Sequence, residues 1–169
     1  GYCMNKKILT TTIGSFPKPK YLPIYDWFDS SRNFGGMNTS KTTIDFTNYL
    51  NHKEKSDEYL YIQAAKDVIE VQIRSGIDIL TDGEVRRENY IHYHCRKLLG
   101  FDFINLEHRI LRDGAYETNL PAIRNKITHS GDLYSAKDFN ASQKLTVMPI
   151  KFTLPGPLTI MDTNANCFY

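Results

Sequence analysis

Cysteine is scarce in this chain: Cys3, Cys95 and Cys167 are the only three in 169 residues. An odd number at wide spacing argues against a disulfide framework and fits a reducing, cytoplasmic setting. Long apolar runs are lacking as well. No stretch approaches the roughly 20 residues that span a bilayer, and Gly1 to Lys7 lacks the apolar core of a signal peptide. Nor is there an excess of charge of one sign. Basic residues number 21 and acidic 19, for a net charge of +2, and the basic ones are scattered, with Lys6-Lys7 and Arg86-Arg87 only as pairs. That leaves no electrostatic footprint for nucleic acid or an anionic membrane. Internal repeats and low-complexity tracts are missing too.

What is present is ordinary for a soluble globular protein: 41% hydrophobic and 24% charged residues, enough for one core-bearing domain. Residues 1–7 read as a tail, with Met4 a candidate start, and 1–169 as a single partial domain. Three segments stand out. They are Thr10-Thr11-Thr12-Ile13-Gly14-Ser15-Phe16-Pro17, Thr81-Asp82-Gly83-Glu84-Val85-Arg86-Arg87-Glu88-Asn89, and Lys151-Phe152-Thr153-Leu154-Pro155-Gly156-Pro157-Leu158-Thr159. Each reads as beginning with an apolar, β-branched run and ending in Gly, Pro, Ser or a carboxylate. Buried parallel strands look this way when they deliver polar groups at their C-terminal ends, the face that carries the site in an α/β barrel. Three such ends predict one shared pocket.

Ile8 to Ile13 reads as a first strand, with Pro17 and Pro19 forcing an extended exit. Ile24 to Phe34 reads as a short amphipathic helix with Trp27 and Phe28 buried, and Gly35 to Ser40 as a loop. Thr42 or Thr43 is placed to cap a helix running to about Leu50. Asn51 to Ser56 is a polar break. From Asp57 to Ser75 the apolar positions Tyr61, Ala64, Ala65, Val68, Ile69, Val71 and Ile73 follow helical spacing, and Gly76 sits at the C′ position. Ile77 to Thr81 is then a strand. This helix–Gly–strand succession is the best βαβ evidence in the chain. Glu88 to Leu98 is predicted helical. Phe103 to Lys126 reads as an excursion from the barrel around Asp113-Gly114, a hairpin signal, with Ile123 to Thr128 a further strand. Ser135 to Lys144 reads as a helix, Val147 to Leu154 as a strand, and Leu158 to Tyr169 as the start of another helix in which the sequence stops. About four strands are counted, against the eight and roughly 250 residues of a (β/α)₈ barrel. The fold class expected is therefore α/β, the N-terminal portion of a (β/α)₈ TIM barrel with a β-hairpin excursion.

The chemistry-bearing residues admit bland and sharp readings. Gly14 permits a positive-φ turn and a close ligand approach, and with Ile13 and Ser15 it offers backbone N–H groups and a hydroxyl to a carboxylate; it is equally a plain strand-to-loop turn. Asp82 and Glu84 repel one another unless a cation lies between them, either a substrate ammonium or a metal, or else they form a local ion-pair network with Arg86, Arg87 and Glu88. His92-Tyr93-His94-Cys95 offers zinc-type donors, but on a helix only His92 and Cys95 share a face, and no second cluster completes a tetrahedral site. A structural role is the weightier reading. Pro155-Gly156-Pro157 makes a rigid turn, with Pro157 suited to the first position of a helix whose N-terminus would favour an anion.

The order T-T-T-I-G-S-F-P, then G-I-D-I-L-T-D-G-E-V-R-R-E-N, then P-I-K-F-T-L-P-G-P-L-T-I resembles the cobalamin-independent methionine synthase family, and more closely its short single-barrel members, from about Leu9 to Tyr169. The resemblance implies a TIM barrel and zinc-dependent methyl transfer to the thiol of homocysteine in methionine biosynthesis, a cytoplasmic amino-acid biosynthetic reaction. It implies substrate-binding roles for Ile13, Gly14 and Ser15 at the carboxylate end and for Glu84 at the ammonium. Asp82 is a possible addition to the same ammonium pocket. The zinc ligands it implies, a His-x-Cys segment, a Glu and a Cys, are expected downstream of this chain, so no metal ligand is assigned within it. Asp162-Thr163 stand where larger folate-dependent members carry a Trp, which leaves the methyl donor open between 5-methyltetrahydrofolate and methylcobalamin. Partners are thus a small-molecule thiol and a methyl donor, not nucleic acid or membrane. Two other readings stand beside this one. One is a barrel like uroporphyrinogen decarboxylase or the coenzyme-M methyltransferases, with Arg86 and Arg87 gripping carboxylates. The other is an inactive fragment or half-barrel binding module, since 169 residues alone are expected to lack turnover.

Overall fold

The computed structural model describes residues 8–24, 26, 40–111, 113–131 and 134–169. Apart from Ile24 and Asp26, the expected helix at 24–34 with Trp27 and Phe28, most of the 35–40 loop and the 1–7 tail lie outside the described residues.

Three short parallel segments organise the site. Thr11 bridges Ile79 and Leu80 bridges Ile150, both parallel, so the stretch at 77–81 is central between 8–13 and 147–152. Backbone bonds from Ile79 N to Thr10 O (3.0 Å), Leu80 N to Pro149 O (2.9 Å) and Lys151 N to Leu80 O (2.9 Å) hold them. Each segment pairs for only a residue or two. Pairing beyond that is replaced by side chains: Thr10 N and Oγ1 both donate to Asp78 Oδ2 at 2.9 Å, and Thr11 Oγ1 donates to Ile79 O at 2.8 Å.

Helix α1 spans Ser40–His52 and buries Thr43 and Phe46. It starts earlier than the Thr42/Thr43 cap predicts. Helix α2 spans Asp57–Arg74, with Asp57 and Glu58 in its first turn, where carboxylates oppose the helix dipole favourably. Gly76 follows at φ 73°. Tyr61, Ala64, Ala65, Val68 and Ile69 form the buried stripe, as the spacing predicts. Val71 and Ile73 are instead exposed, and Gln72 takes the inward position between them. The main core joins these α2 residues to Leu22, Ile24, Phe46 and Val85. A second cluster of Ile69, Leu80 and Ile150 seats α2 against the parallel segments, with Phe139 of α4 (Tyr134–Gln143) packed on it.

The helix predicted over Glu88 to Leu98 contracts to α3, His92–Cys95. Asn89 accounts for this: its Oδ1 accepts from the N–H groups of Ile91 (2.8 Å) and His92 (2.9 Å), so its side chain occupies donors that an earlier helical turn would use. At the other end Leu98 is already in a strand. The excursion is a long antiparallel hairpin of β1 (Leu98–Leu111) and β2 (Tyr116–His129). Its turn carries φ 54° at Asp113 and 89° at Gly114, the left-handed conformations this dipeptide tolerates. Ile123 to Thr128 is the second half of β2 rather than a separate strand. The terminal helix is also shorter than predicted. Helix α5 spans Pro157–Asp162, with Pro157 in its first turn as expected. It ends because Thr163 Oγ1 and Asn164 Nδ2 turn back onto the carbonyls of Thr159 (2.8 Å) and Ile160 (2.7 Å). Ala165–Asn166 then forms β3, parallel to β2 at Ala122 and Ile123. The named strands thus make one three-stranded sheet, β1-β2-β3. No helix among the described residues is long and apolar enough to cross a membrane.

Candidate functional site at the ends of three parallel segments

Glu84 lies at the meeting point of the three segments. It is buried, at 8% exposure, and its backbone is left-handed at φ 56°, a conformation that costs a non-glycine residue about 1 kcal/mol or more and persists only where surroundings enforce it. Several bonds enforce it here. Asp82 Oδ1 accepts from Glu84 N at 2.9 Å. Thr81 Oγ1 accepts from Gly83 N (3.2 Å) and donates to Gly14 O (3.1 Å). Phe16 N donates to Gly83 O at 3.0 Å. Gly83 itself, at φ 70°, lies so close to α2 that a Cβ there would fall 2.7 Å from Val68 Cγ1. Behind this turn, Gln72 stands in for a strand partner. Its Nε2 donates to Thr81 O (2.8 Å) and its Oε1 accepts from Thr81 N (3.0 Å) and Thr12 Oγ1 (3.3 Å).

The side chain of Glu84 is held from the other two segments. Thr153 Oγ1 donates to Glu84 Oε1 at 2.7 Å, and Arg87 Nη1 donates to Thr153 Oγ1 at 3.1 Å. Arg87 Nη1 also lies 3.6 Å from Glu84 Oε1, with its guanidinium 4.7 Å from the centre of the Phe152 ring. A Cβ on Gly14 would fall 2.6 Å from Glu84 Oε1 and 3.1 Å from Thr153 Cγ2. Gly14 is therefore required for close approach. It does not adopt the positive φ that the sequence suggested. Both side-chain contacts to Glu84 fall on Oε1; Oε2 accepts no hydrogen bond among the described residues.

These groups surround a cavity of about 330 Å³ lined by Ile13, Ser15, Lys18, Glu84, Arg87, Glu88, Asn89, Tyr90, Thr153 and Leu154. Ile13, Ser15 and Glu84, singled out from the sequence, line it, and Gly14 backs it through Glu84. Asp82 is not among its lining residues: its carboxylate shapes the Gly83-Glu84 turn. Lys18 and Thr153 join the site without having been singled out as binding residues, and Arg87 joins it from the alternative reading in which it grips a carboxylate. The one available signal for Lys18 was its place between Pro17 and Pro19 just after the Gly-Ser turn. Lys18 is buried, which pushes its ammonium pKa down against the opposing pull of Asp26, Glu84 and Glu88. The Glu88 side chain is largely buried, and burial raises its pKa while Arg96, whose Nε donates to it at 2.5 Å, pulls it down. Arg86 turns away: its guanidinium donates twice to Glu58, at 2.9 and 2.6 Å.

The His92–Cys95 segment is not arranged as a metal site. His92 Nε2 lies 3.3 Å from Thr163 O, and burial lowers its pKa to about 4. Cys95 Sγ accepts from Asn164 Nδ2 at 3.7 Å, and burial pushes its thiol up to about 12, away from the thiolate that zinc needs. Among the described residues no group of three His, Cys, Asp or Glu side chains could hold a metal ion. The residues present do not fit zinc.

Comparison with known proteins follows the same line. The family described as "Cobalamin-independent synthase, Catalytic domain" matches residues 8–166. A methionine synthase of Sulfolobus acidocaldarius is 26% identical over 160 residues, 95% of this chain and 41% of that protein. A 5-methyltetrahydropteroyltriglutamate–homocysteine methyltransferase of Thermotoga petrophila is 27% identical over 154 residues, 90% of this chain and 18% of that protein. Among solved structures, a B12-independent methionine synthase from Shewanella sp. W3-18-1, in complex with selenomethionine, superposes with a TM-score of 0.72 at 25% identity. That match covers 95% of this chain and 41% of the other. The chain thus spans about two fifths or less of the length of these relatives.

Proposed function

The chain belongs to the cobalamin-independent methionine synthase family, and on that premise we propose that its strand-end cavity is the amino-acid-binding part of a methyltransferase acting on the thiol of homocysteine. In this reading residues 1–169 form one partial domain, the first half of a (β/α)₈ barrel. The observation that carries the reading is the convergence of Gly14, Glu84 and Thr153, one from each parallel segment, on a single buried carboxylate.

The chemistry follows from that carboxylate. Glu84 Oε1 is held by Thr153 at 2.7 Å and faces Arg87 at 3.6 Å. Oε2 remains open to accept from a substrate ammonium, and a charge-assisted bond of this kind is worth about 1.5–3 kcal/mol. Ser15 and the backbone beside it lie on the same cavity and suit the carboxylate end of an amino acid. Leu154 and Ile13 bring apolar surface for the methylene chain that carries the thiol. The described residues hold and orient the amino acid. They do not deprotonate the thiol, and no step is assigned to zinc. The methyl donor that the relatives' names support is 5-methyltetrahydropteroyltriglutamate.

The test is transfer of a labelled methyl group. With the whole protein, 5-methyltetrahydropteroyltriglutamate and L-homocysteine, labelled methionine is expected. Turnover of uroporphyrinogen with no methionine formed would move the protein to a different barrel chemistry.

A further inference from the structure

We infer that Asp138 of α4 and Tyr93 of α3 form a positioning pair for this site, acting through Arg87 on the Glu84 carboxylate. This inference rests on the amino-acid-binding reading above. Neither residue lines the cavity. Tyr93 OH donates to Asp138 Oδ2 at 2.5 Å, and Asp138 is buried. The other carboxylate oxygen, Oδ1, lies 3.9 Å from Arg86 Nε. Arg86 gives its terminal nitrogens to Glu58 of α2, so the pair is joined to two helices. Burial pushes the Asp138 pKa up, while Tyr93 and Arg86 pull it down.

The pair bears on the site through one buried guanidinium. Arg87 Nη1 donates to Thr153 Oγ1. Because that hydroxyl oxygen receives a bond from Arg87, its own proton is directed to Glu84 Oε1. The placement of the guanidinium therefore sets the hydroxyl, and the hydroxyl sets the carboxylate. Two rings seat the guanidinium: Phe152, with its centre 4.7 Å away, and Tyr93, at 6.0 Å, both within reach of cation–π attraction. His94 packs edge-on against both rings, 5.5 Å from Tyr93 and 6.1 Å from Phe152. Phe152 is carried by the parallel segment at 147–152. Tyr93 has weaker backbone support, since α3 is a single turn, His92–Cys95, too short to be stable by its own hydrogen bonds. Its hydroxyl supplies what the helix does not. It ties the ring to α4, which packs through Phe139 against Ile69, Leu80 and Ile150. Neither member of the pair meets the ligand.

The experiment titrates L-homocysteine calorimetrically into the whole protein, with thermal melts to confirm folding. The variants are Tyr93→Phe, Asp138→Leu, Asp138→Asn, Glu84→Gln and the double variant Tyr93→Phe with Glu84→Gln. Tyr93→Phe keeps the ring and loses the hydroxyl; it should weaken binding by about 3- to 30-fold, the span of coupling through intervening residues. Asp138→Leu should match it. Asp138→Asn, whose amide oxygen still accepts the hydroxyl, should bind within about twofold of wild type. Beside Glu84→Gln, Tyr93→Phe should cost nothing further, because residues that act through one partner are non-additive. A merely structural loosening would add its loss in full. The pair is overturned by wild-type binding in Tyr93→Phe, by Asp138→Asn binding as weakly as Asp138→Leu, or by a Tyr93→Phe loss undiminished beside Glu84→Gln. Should Asp138→Leu fail to fold, Tyr93→Phe alone and in the double variant decides. Glu84→Gln judges the underlying reading by itself. If it weakens homocysteine, that reading stands whatever becomes of the pair; if it binds as wild type does, both fall.

Discussion

The strand-end cavity and the β1–β2 hairpin are built from the same residue types and use them in opposite ways. In the hairpin, Arg124 donates to Glu107 at 2.8 Å and lies 3.4 Å from Asp102, with Arg109 adding a 3.5 Å contact to Glu107. These side chains are about one-third exposed, pair with one another and are screened by water, although Arg124 Nε makes no hydrogen bond. In the cavity, Arg87 and Glu84 are buried; Arg87 Nη2 has no hydrogen-bond partner and both side-chain contacts to Glu84 fall on Oε1. The difference lies in the backbone that carries them. The hairpin, whose register shifts between Asp102 and Glu107, presents these charges at its surface. The short segments at 8–13, 77–81 and 147–152 stop pairing after one bridge, or two for the central one, and their ends meet around Glu84. Buried, incompletely paired charge is costly, and the cavity keeps it because Gly14, Gly83 and Thr153 leave no other place for Glu84.

The sharpest way to break this contrast is Gly14→Ala. The added methyl group must displace Glu84 Oε1 at 2.6 Å. Homocysteine binding should fall by about 100-fold or more, beyond the overpacking cost of about 1–3 kcal/mol in stability. Binding as in wild type would mean that Glu84 is free to move.

A stability effect comes next. Burial holds His92 neutral, lowering its pKa from 6.5 to about 4. Its contribution is therefore complete above pH ~6.5 and is lost as pH falls through ~4, roughly 3 kcal/mol across that window. His92→Gln should flatten the stability–pH slope between those values in urea unfolding; an unaltered slope would place the titration elsewhere.

Gln72→Ala removes the side-chain amide that serves both Thr81 N and Thr81 O, and should cost about 2 kcal/mol with weakened ligand binding. A loss of stability with binding intact would show that the Thr81 anchor does not reach Glu84. The hairpin supplies the smallest effect. Arg124→Gln should leave both the melting temperature and homocysteine binding indistinguishable from wild type, as exposed pairs generally do. A clear loss of binding would erase the division between the two regions.

Much of this was legible from residue pattern. The three strand ends, the α2 stripe with its Gly76 stop, and the Asp113-Gly114 turn all follow from local chemistry. What escaped depended on side chains replacing backbone partners. Asn89 capping Ile91 and His92 shortened the predicted 88–98 helix, and Thr163 and Asn164 bonding backward ended α5 before β3. Gln72 sits inside where an apolar residue would be expected, because Thr81 needed both a donor and an acceptor. Lys18 was not legible, and Arg87 was legible only as one of an Arg86-Arg87 pair, because charge-bearing stretches are usually solvated. Only burial from three directions distinguishes them from surface residues, and that is a property of tertiary contact.

The most direct test of the central claim is the affinity of the whole protein for L-homocysteine with Glu84 replaced by Gln, a nearly isosteric change that keeps an acceptor and removes the charge. If Glu84 is the ammonium site, calorimetry should show binding about 10- to 100-fold weaker with an unchanged melting temperature. Equal affinity in the two proteins would contradict the account.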